Sequence, residues 1–263
     1  MDHSRDQRDR GRGGPVAKFV LALTLLSLVV AAPMLAWNLP GQKKTALGIN
    51  YTLRSAELAS GKSTTARWNP CQTAITWQAN LSGWPAAKRA AMLKQIQTGV
   101  AKVSQVTGMK YRYAGNTTFT PRQENLVSAP ADIVVAVINP KTTNFSFSEN
   151  SLGYGGVLWA TWYGGDGEGA AVVRGYAVLI PAGMNKLKAG FGKGNTQGNV
   201  ILHELAHAAG LDHVRSNKQQ MFPDLTAKSP NGLASGDVQG LTKVGKKAGC
   251  ITVPERVNIP DYS

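Results

Sequence analysis

At 263 residues with 43% hydrophobic content, the chain is long enough to bury a core and too apolar to be a disordered polymer; it fits one domain with appendages. Twenty-nine basic against 15 acidic residues give a formal charge of +14 and a pI of about 9.9, which favours acidic surroundings such as an anionic membrane, anionic wall polymers or acidic substrates. No nucleic-acid motif accompanies that charge, and the basic residues are scattered rather than clustered in one helix, so nucleic acid is not expected as a partner.

Residues 1–15 are polar and rich in Arg and Gly and read as a basic cytoplasmic tail. An apolar run follows within residues 16–37, behind Arg5, Arg8, Arg10, Arg12 and Lys18, so the positive-inside rule puts the N-terminus in the cytoplasm and the rest outside. The run reads as a signal peptide or as an uncleaved transmembrane anchor. Cleavage after Ala36 would place bulky Met34 at the −3 position, and Pro33 spoils cleavage after Ala32, which favours the anchor. The product is expected to be extracytoplasmic, held to the membrane through residues 16–37 or secreted after cleavage. Residues 38–66 show no sustained periodicity and read as a linker or short pro-segment.

A domain is expected over residues 67–252, starting at Arg67-Trp68-Asn69-Pro70-Cys71. Residues 74–79 alternate and predict a strand. Pro85 precedes a helical pattern of Ala90, Leu93, Ile96, Val100 and Val103 that Gly108 ends. A short strand follows over 110–114, and the β-branched run 131–138 predicts a buried central strand. Residues 140–156 read as a loop ending in Gly153-Tyr154-Gly155-Gly156, then 157–162 as an edge strand and 175–180 as another strand. Between those strands Gly164 to Gly169 reads as an acidic turn. Its Asp166 and Glu168 suggest a structural calcium site, but two carboxylates are too few to support one. Asn195-Thr196 offers an N-cap for a helix over Val200-Ile201-Leu202, and 234–244 predicts a last helix. Residues 253–263 read as an extended tail. The order of elements is that of an α+β fold, a mixed twisted sheet carrying helices.

Two cysteines, Cys71 and Cys250, lie at the two ends of the proposed domain. An even count outside the cytoplasm predicts a disulfide; neither has a second Cys or His at metal-ligand spacing.

The chemistry is concentrated in His203-Glu204-Leu205-Ala206-His207-Ala208-Ala209-Gly210-Leu211-Asp212-His213, an H-E-x-x-H-x-x-G-x-x-H pattern. His203 and His207, four residues apart, share a helix face and can aim two imidazoles at one zinc ion. Gly210 permits a chain reversal that returns His213 as a third ligand. Three imidazoles leave a coordination position open for water, the pattern of a catalytic rather than a structural zinc site. Glu204 is placed to hold that water as general base. The chain has four His and three are in the motif, so Ser/His and Cys/His nucleophile schemes lack their base.

The motif resembles the metzincin clan of zinc endopeptidases, whose signature includes a downstream Met-turn. Met221, in Gln220-Met221-Phe222-Pro223, takes that place, and the Met-aromatic-Pro run resembles the matrixin branch, as does Leu233-Ala234-Ser235-Gly236-Asp237-Val238-Gln239-Gly240-Leu241 at the opening of the last helix. Matrixins commonly carry Ser after the third His, where this chain has Val214. The chain is similar to secreted matrixin-type peptidases of actinobacteria, over roughly residues 67 to 250. The resemblance implies an active-site helix and a C-terminal helix, Zn2+ on His203, His207 and His213, a hydrophobic floor from Met221, and a peptide or protein substrate paired along an edge strand at Gly156, Val157, Leu158 and Trp159. The expectation is a zinc-dependent endopeptidase of extracellular proteins. Alternatives are a hydrolase of cell-wall peptide cross-links, motivated by the basic charge, and a membrane-anchored module that keeps zinc without catalysis.

Overall fold

The computed structural model describes residues 43–44, 50–164, 167–255 and 257. The chain divides into Met1–Asn38 and Leu39–Ser263. The expected tail at 1–15 and the signal or anchor segment at 16–37 lie outside the described residues, as does Asp166. No helix among the described residues is long and apolar enough to cross a membrane.

In chain order the strands and helices are β1 (Lys43–Lys44), β2 (Asn50–Leu53), β3 (Ser55–Glu57), β4 (Ser63–Thr65), β5 (Ile75–Asn80), α1 (Arg89–Thr107), β6 (Tyr111–Asn116), β7 (Ile133–Val137), β8 (Gly153–Gly164), β9 (Gly167–Leu179), α2 (Pro181–Met184), α3 (Gln197–Ala208), β10 (Leu211–Asp212) and α4 (Ser235–Val244). The α+β class expected from the sequence is present as a five-stranded mixed sheet of order β6-β5-β7-β9-β8. β5 pairs in parallel with β6 and β7, β7 in parallel with β9, and β8 antiparallel to β9. All five residues of β7 are buried, which is why its sequence runs Ile-Val-Val-Ala-Val instead of alternating.

Helix α1 buries Met92, Ile96, Val100 and Val103, a stripe at helical spacing, against the core. Burial of side chains of this size is worth roughly 1.5–3 kcal/mol each. Gly108 ends the helix in the left-handed region, φ 68°. Gly99 sets how closely α1 approaches α3: a Cβ there would stand 2.9 Å from both Ile201 Cγ2 and Leu205 Cδ1. A second apolar cluster, including Leu126, Phe145, Leu158, Tyr176 and Val178, is built partly from the alternate residues of the same strands. The Cys71–Cys250 disulfide forms, with Cα atoms 5.3 Å apart across a separation of 179 residues. Such a closure typically adds about 2–4 kcal/mol.

Three sequence expectations are corrected. Residues 50–66 are folded rather than a linker: β2 pairs antiparallel with β10, β3 with β4, and Ala56 and Ala66 are fully buried. Strands of three or four residues are too short to display a period, so composition alone hid them. β8 begins at Gly153, four residues earlier than expected, because the glycine run that read as a loop end is paired with β9. Of the expected turn over Gly164 to Gly169, the described residues Gly164, Gly167, Glu168 and Gly169 are strand; Glu168 pairs with Tyr163 and accepts a 2.7 Å hydrogen bond from Ser60 Oγ. Among the described residues, the three motif histidines are the one group of three or more His, Cys, Asp or Glu side chains that could hold a metal.

Candidate metal centre

Helix α3 starts where Thr196 caps it, its side chain accepting from the Asn199 N–H at 3.2 Å. Nearly every residue of the helix is buried, including Leu202, Leu205 and Ala206, so its orientation is fixed on all sides. His203 and His207 project from one face, one turn apart. After Ala209, Gly210 adopts φ 108°, which a side-chain-bearing residue would resist, and β10 carries the chain back to His213. That return is clamped by the segment expected to be a linker: Leu211 pairs with Leu53, Asp212 with Thr52, and the Arg54 N–H donates to Gly210 O at 2.9 Å.

The three Nε2 atoms form a nearly equilateral triangle with sides of 3.1, 3.1 and 3.2 Å. Zinc–imidazole bonds of about 2.0–2.1 Å in tetrahedral geometry require nitrogens about 3.3 Å apart, so the triangle fits a single ion. The tautomers are set from outside. His203 Nδ1 lies 2.8 Å from Gln220 O and His207 Nδ1 lies 3.0 Å from Leu211 O. A carbonyl only accepts, so both Nδ1 atoms carry the proton and both Nε2 lone pairs face inward. Burial pushes the His203 imidazolium down to about 4, assisted by the neighbouring His213, and holds His207 and His213 below the usual range as well. Arg54 contributes to the depression of both His207 and His213, and Asp212 opposes it at His213. Three neutral imidazoles converging on one point are a donor set for a metal cation.

The Glu204 side chain lies against β8 at Gly153 and Gly155. Burial raises its carboxyl to about 8, partly offset by hydrogen bonding from the Gly155 backbone. The strand comes this close because it has no side chains to interpose. A Cβ on Gly153 would stand 2.6 Å from Glu204 Oε1, and one on Gly155 would stand 2.5 Å from Glu204 O. Histidines and Glu204 line a cleft of about 540 Å³ whose other walls include Ser151 to Gly155, Phe222 to Leu225 and Arg54.

Met221 is buried, and its turn is held on both sides: its carbonyl accepts from the Val214 N–H at 3.0 Å and its N–H donates to Asp237 Oδ1 at 3.1 Å. Asp237 Oδ2 accepts from the N–H groups of Gln220 at 2.7 Å and Ala234 at 2.8 Å. One carboxylate on α4 thus fixes the turn whose Gln220 carbonyl orients His203. Val214, where the resemblance leads one to expect Ser, is itself buried in this joint.

Gly156, Val157, Leu158 and Trp159, assigned to substrate by resemblance, do not line the histidine cleft. They border a second cavity of about 180 Å³ that shares Arg54 and Tyr154 with the first. The cleft itself is flanked by the preceding residues of β8, a consequence of the strand starting earlier than its sequence pattern indicated. Three features of the site have no counterpart in the sequence expectations: the hold of Asp237 on the Gln220-Met221 backbone, the approach of Arg54 from the supposed linker, and the close contact of Gly153 and Gly155 with Glu204, signalled only by the density of glycine.

Compared with protein-family models and with curated proteins, the chain matches none. What identifies the site is its own geometry: three neutral imidazoles aimed at one point, a buried carboxyl beside them and a cleft open to solvent.

Proposed function

We propose that the chain is a zinc-dependent endopeptidase. The observation that carries the reading is the triangle of inward-facing Nε2 atoms with Glu204 buried next to it. His203, His207 and His213 would hold the ion. Zinc bound there would acidify a water and polarise a carbonyl.

The remaining work falls to the protein's own groups. Glu204 takes the proton of the attacking water and returns it to the leaving amine, as general base and then general acid. Its burial, which favours the protonated form, matches the second of those duties. Gln220 and Leu211 carbonyls keep His203 and His207 in the ligating tautomer. β8 is the last strand of its sheet, so its outer edge can pair with an extended peptide, which brings a backbone amide across the cleft. The sequence resemblance to metzincins points the same way.

The test compares the wild-type protein with Glu204→Gln for zinc content and for cleavage of an unstructured protein. Wild type is expected to cut and the variant not, with one zinc in each. If both hold zinc and neither cuts, purified wall is the next substrate to try, since the basic charge suits an anionic polymer. Failure there would leave a zinc-holding module without catalysis. If neither holds zinc, the reading is wrong at its root.

A further inference from the structure

Arg54 is the only lysine or arginine lining either cavity among the described residues, and it borders both. It sits between β2 and β3, with its backbone held in place by the Gly210 carbonyl and by the Ala66 N–H, so the side chain projects from a fixed point. Among the described residues its one ionic contact is long and one-sided: Nη1 to Asp212 Oδ2 at 3.5 Å, while Asp212 Oδ1 is engaged by the His213 N–H at 2.8 Å. Nε has no hydrogen-bond partner among the described residues, and a third of the side chain is exposed.

The second cavity contains no carboxylate to answer that charge. Apart from Arg54, Gln123 and the tyrosines Tyr154 and Tyr176, its walls are Gly156 and apolar side chains, Leu126, Phe145, Val157, Leu158 and Trp159. A guanidinium at the edge of a small, largely apolar space attracts a carboxylate, because its planar donors match both oxygens and the walls offer no competing carboxylate. Gln123 brings an amide donor to the same cavity.

Resting on the endopeptidase reading, we propose that this second cavity receives an acidic side chain of the peptide substrate, with Arg54 as the specificity-determining residue. The aliphatic stem of the substrate's Glu or Asp packs against Val157 and Trp159 and its carboxylate meets Arg54. The same peptide continues past Tyr154, which borders both cavities, to present a backbone amide to the histidine cleft. The surplus of basic residues on the chain draws such substrates in.

The experiment uses the full-length chain and a set of unstructured fluorescent peptides in which one Glu or one Gln is moved through an otherwise neutral sequence. At one register, wild type should cleave the Glu peptide with kcat/KM about tenfold or more above its Gln twin. Arg54→Gln should bring that ratio to about one, Arg54→Lys should keep it above one, and Arg54→Glu should shift the preference to a Lys peptide. The zinc-loaded Glu204→Gln variant should show the same preference in binding, read by fluorescence anisotropy. A wild-type ratio near one at every register overturns the proposal, as does a ratio that survives Arg54→Gln. Cleavage without preference removes the selectivity alone. Binding preference without cleavage removes the endopeptidase reading and leaves Arg54 its role.

Discussion

Two buried carboxyl groups flank the histidine triangle, and their surroundings differ. Glu204 lies on α3, hydrogen-bonded by the Gly155 backbone and lining a large cleft. Asp237 lies on α4, 1% exposed, with N–H groups of Gln220, Met221 and Ala234 on its two oxygens. Burial raises both, Glu204 to about 8 and Asp237 to about 6. A carboxyl surrounded by donors is committed to holding backbone; one that keeps an oxygen toward a cleft is available for proton transfer. The largest expected effect follows from this. Glu204→Gln should lower peptide cleavage by about 10²–10⁴-fold while zinc content and the thermal midpoint stay near wild type. A midpoint that collapses with activity would show that Glu204 is architectural after all, and the contrast with Asp237 would fail.

Asp237→Ala should behave in the opposite way. Removing both oxygens orphans three backbone N–H groups in the interior, at a cost of about 3–4 kcal/mol, or on the order of 10 °C in the midpoint for a domain of this size. Activity should fall with zinc retention, because the Gln220 carbonyl that orients His203 is released. A pH series sharpens the point. Burial raises Asp237 from 3.8 to about 6 in the folded state, so the native state binds its proton more tightly than the unfolded chain does. Its contribution is fully present below about pH 4 and is lost as pH rises through 6, a change of about 3 kcal/mol. Asp237→Asn cannot titrate and should flatten that slope. Denaturant unfolding of the two proteins between pH 4 and 7 measures it; parallel curves would mean that Asp237 does not titrate in this window.

The two sides of the site were unequally legible in the sequence. His203, His207 and Gly210 act within one helix and its exit, where spacing along the chain is spacing in space, so the pattern alone placed them. Thr196 as N-cap and Gly108 as helix end were readable for the same reason. The α1 stripe and the buried run of β7 were equally local. Arg54 reaches the site through β2 pairing with β10, a contact across more than 150 residues that no periodicity encodes. Asp237 reads as an ordinary first-turn acid until its partners, 16 and 17 residues away, are seen. The edge strand β8 was legible, but its near end lies at Gly153, because glycines that mark a loop by composition here mark a close crossing of β8 over α3.

That crossing supplies the smallest effect and the finest division between the two carboxyls. On β8, Gly153 and Gly155 both face Glu204, but different atoms stand in the way of a side chain. At Gly153 the obstacle is the Glu204 side chain, with Oε1 at 2.6 Å and Cγ at 2.8 Å from an added Cβ. A side chain can swing aside, so Gly153→Ala should displace the carboxyl, cutting activity about tenfold or more for a loss of roughly 1 kcal/mol. At Gly155 the obstacle is the Glu204 backbone, with O at 2.5 Å and Cα at 2.9 Å. A helix buried on all sides cannot yield, so β8 itself must move, and Gly155→Ala should cost about 2–3 kcal/mol as well as activity. Neither change touches the Asp237 joint, so zinc content should hold in both. Equal thermal midpoints for the two alanine variants would mean that β8 is softer than its pairing with β9 implies, and that Glu204 rather than the strand sets the distance between them.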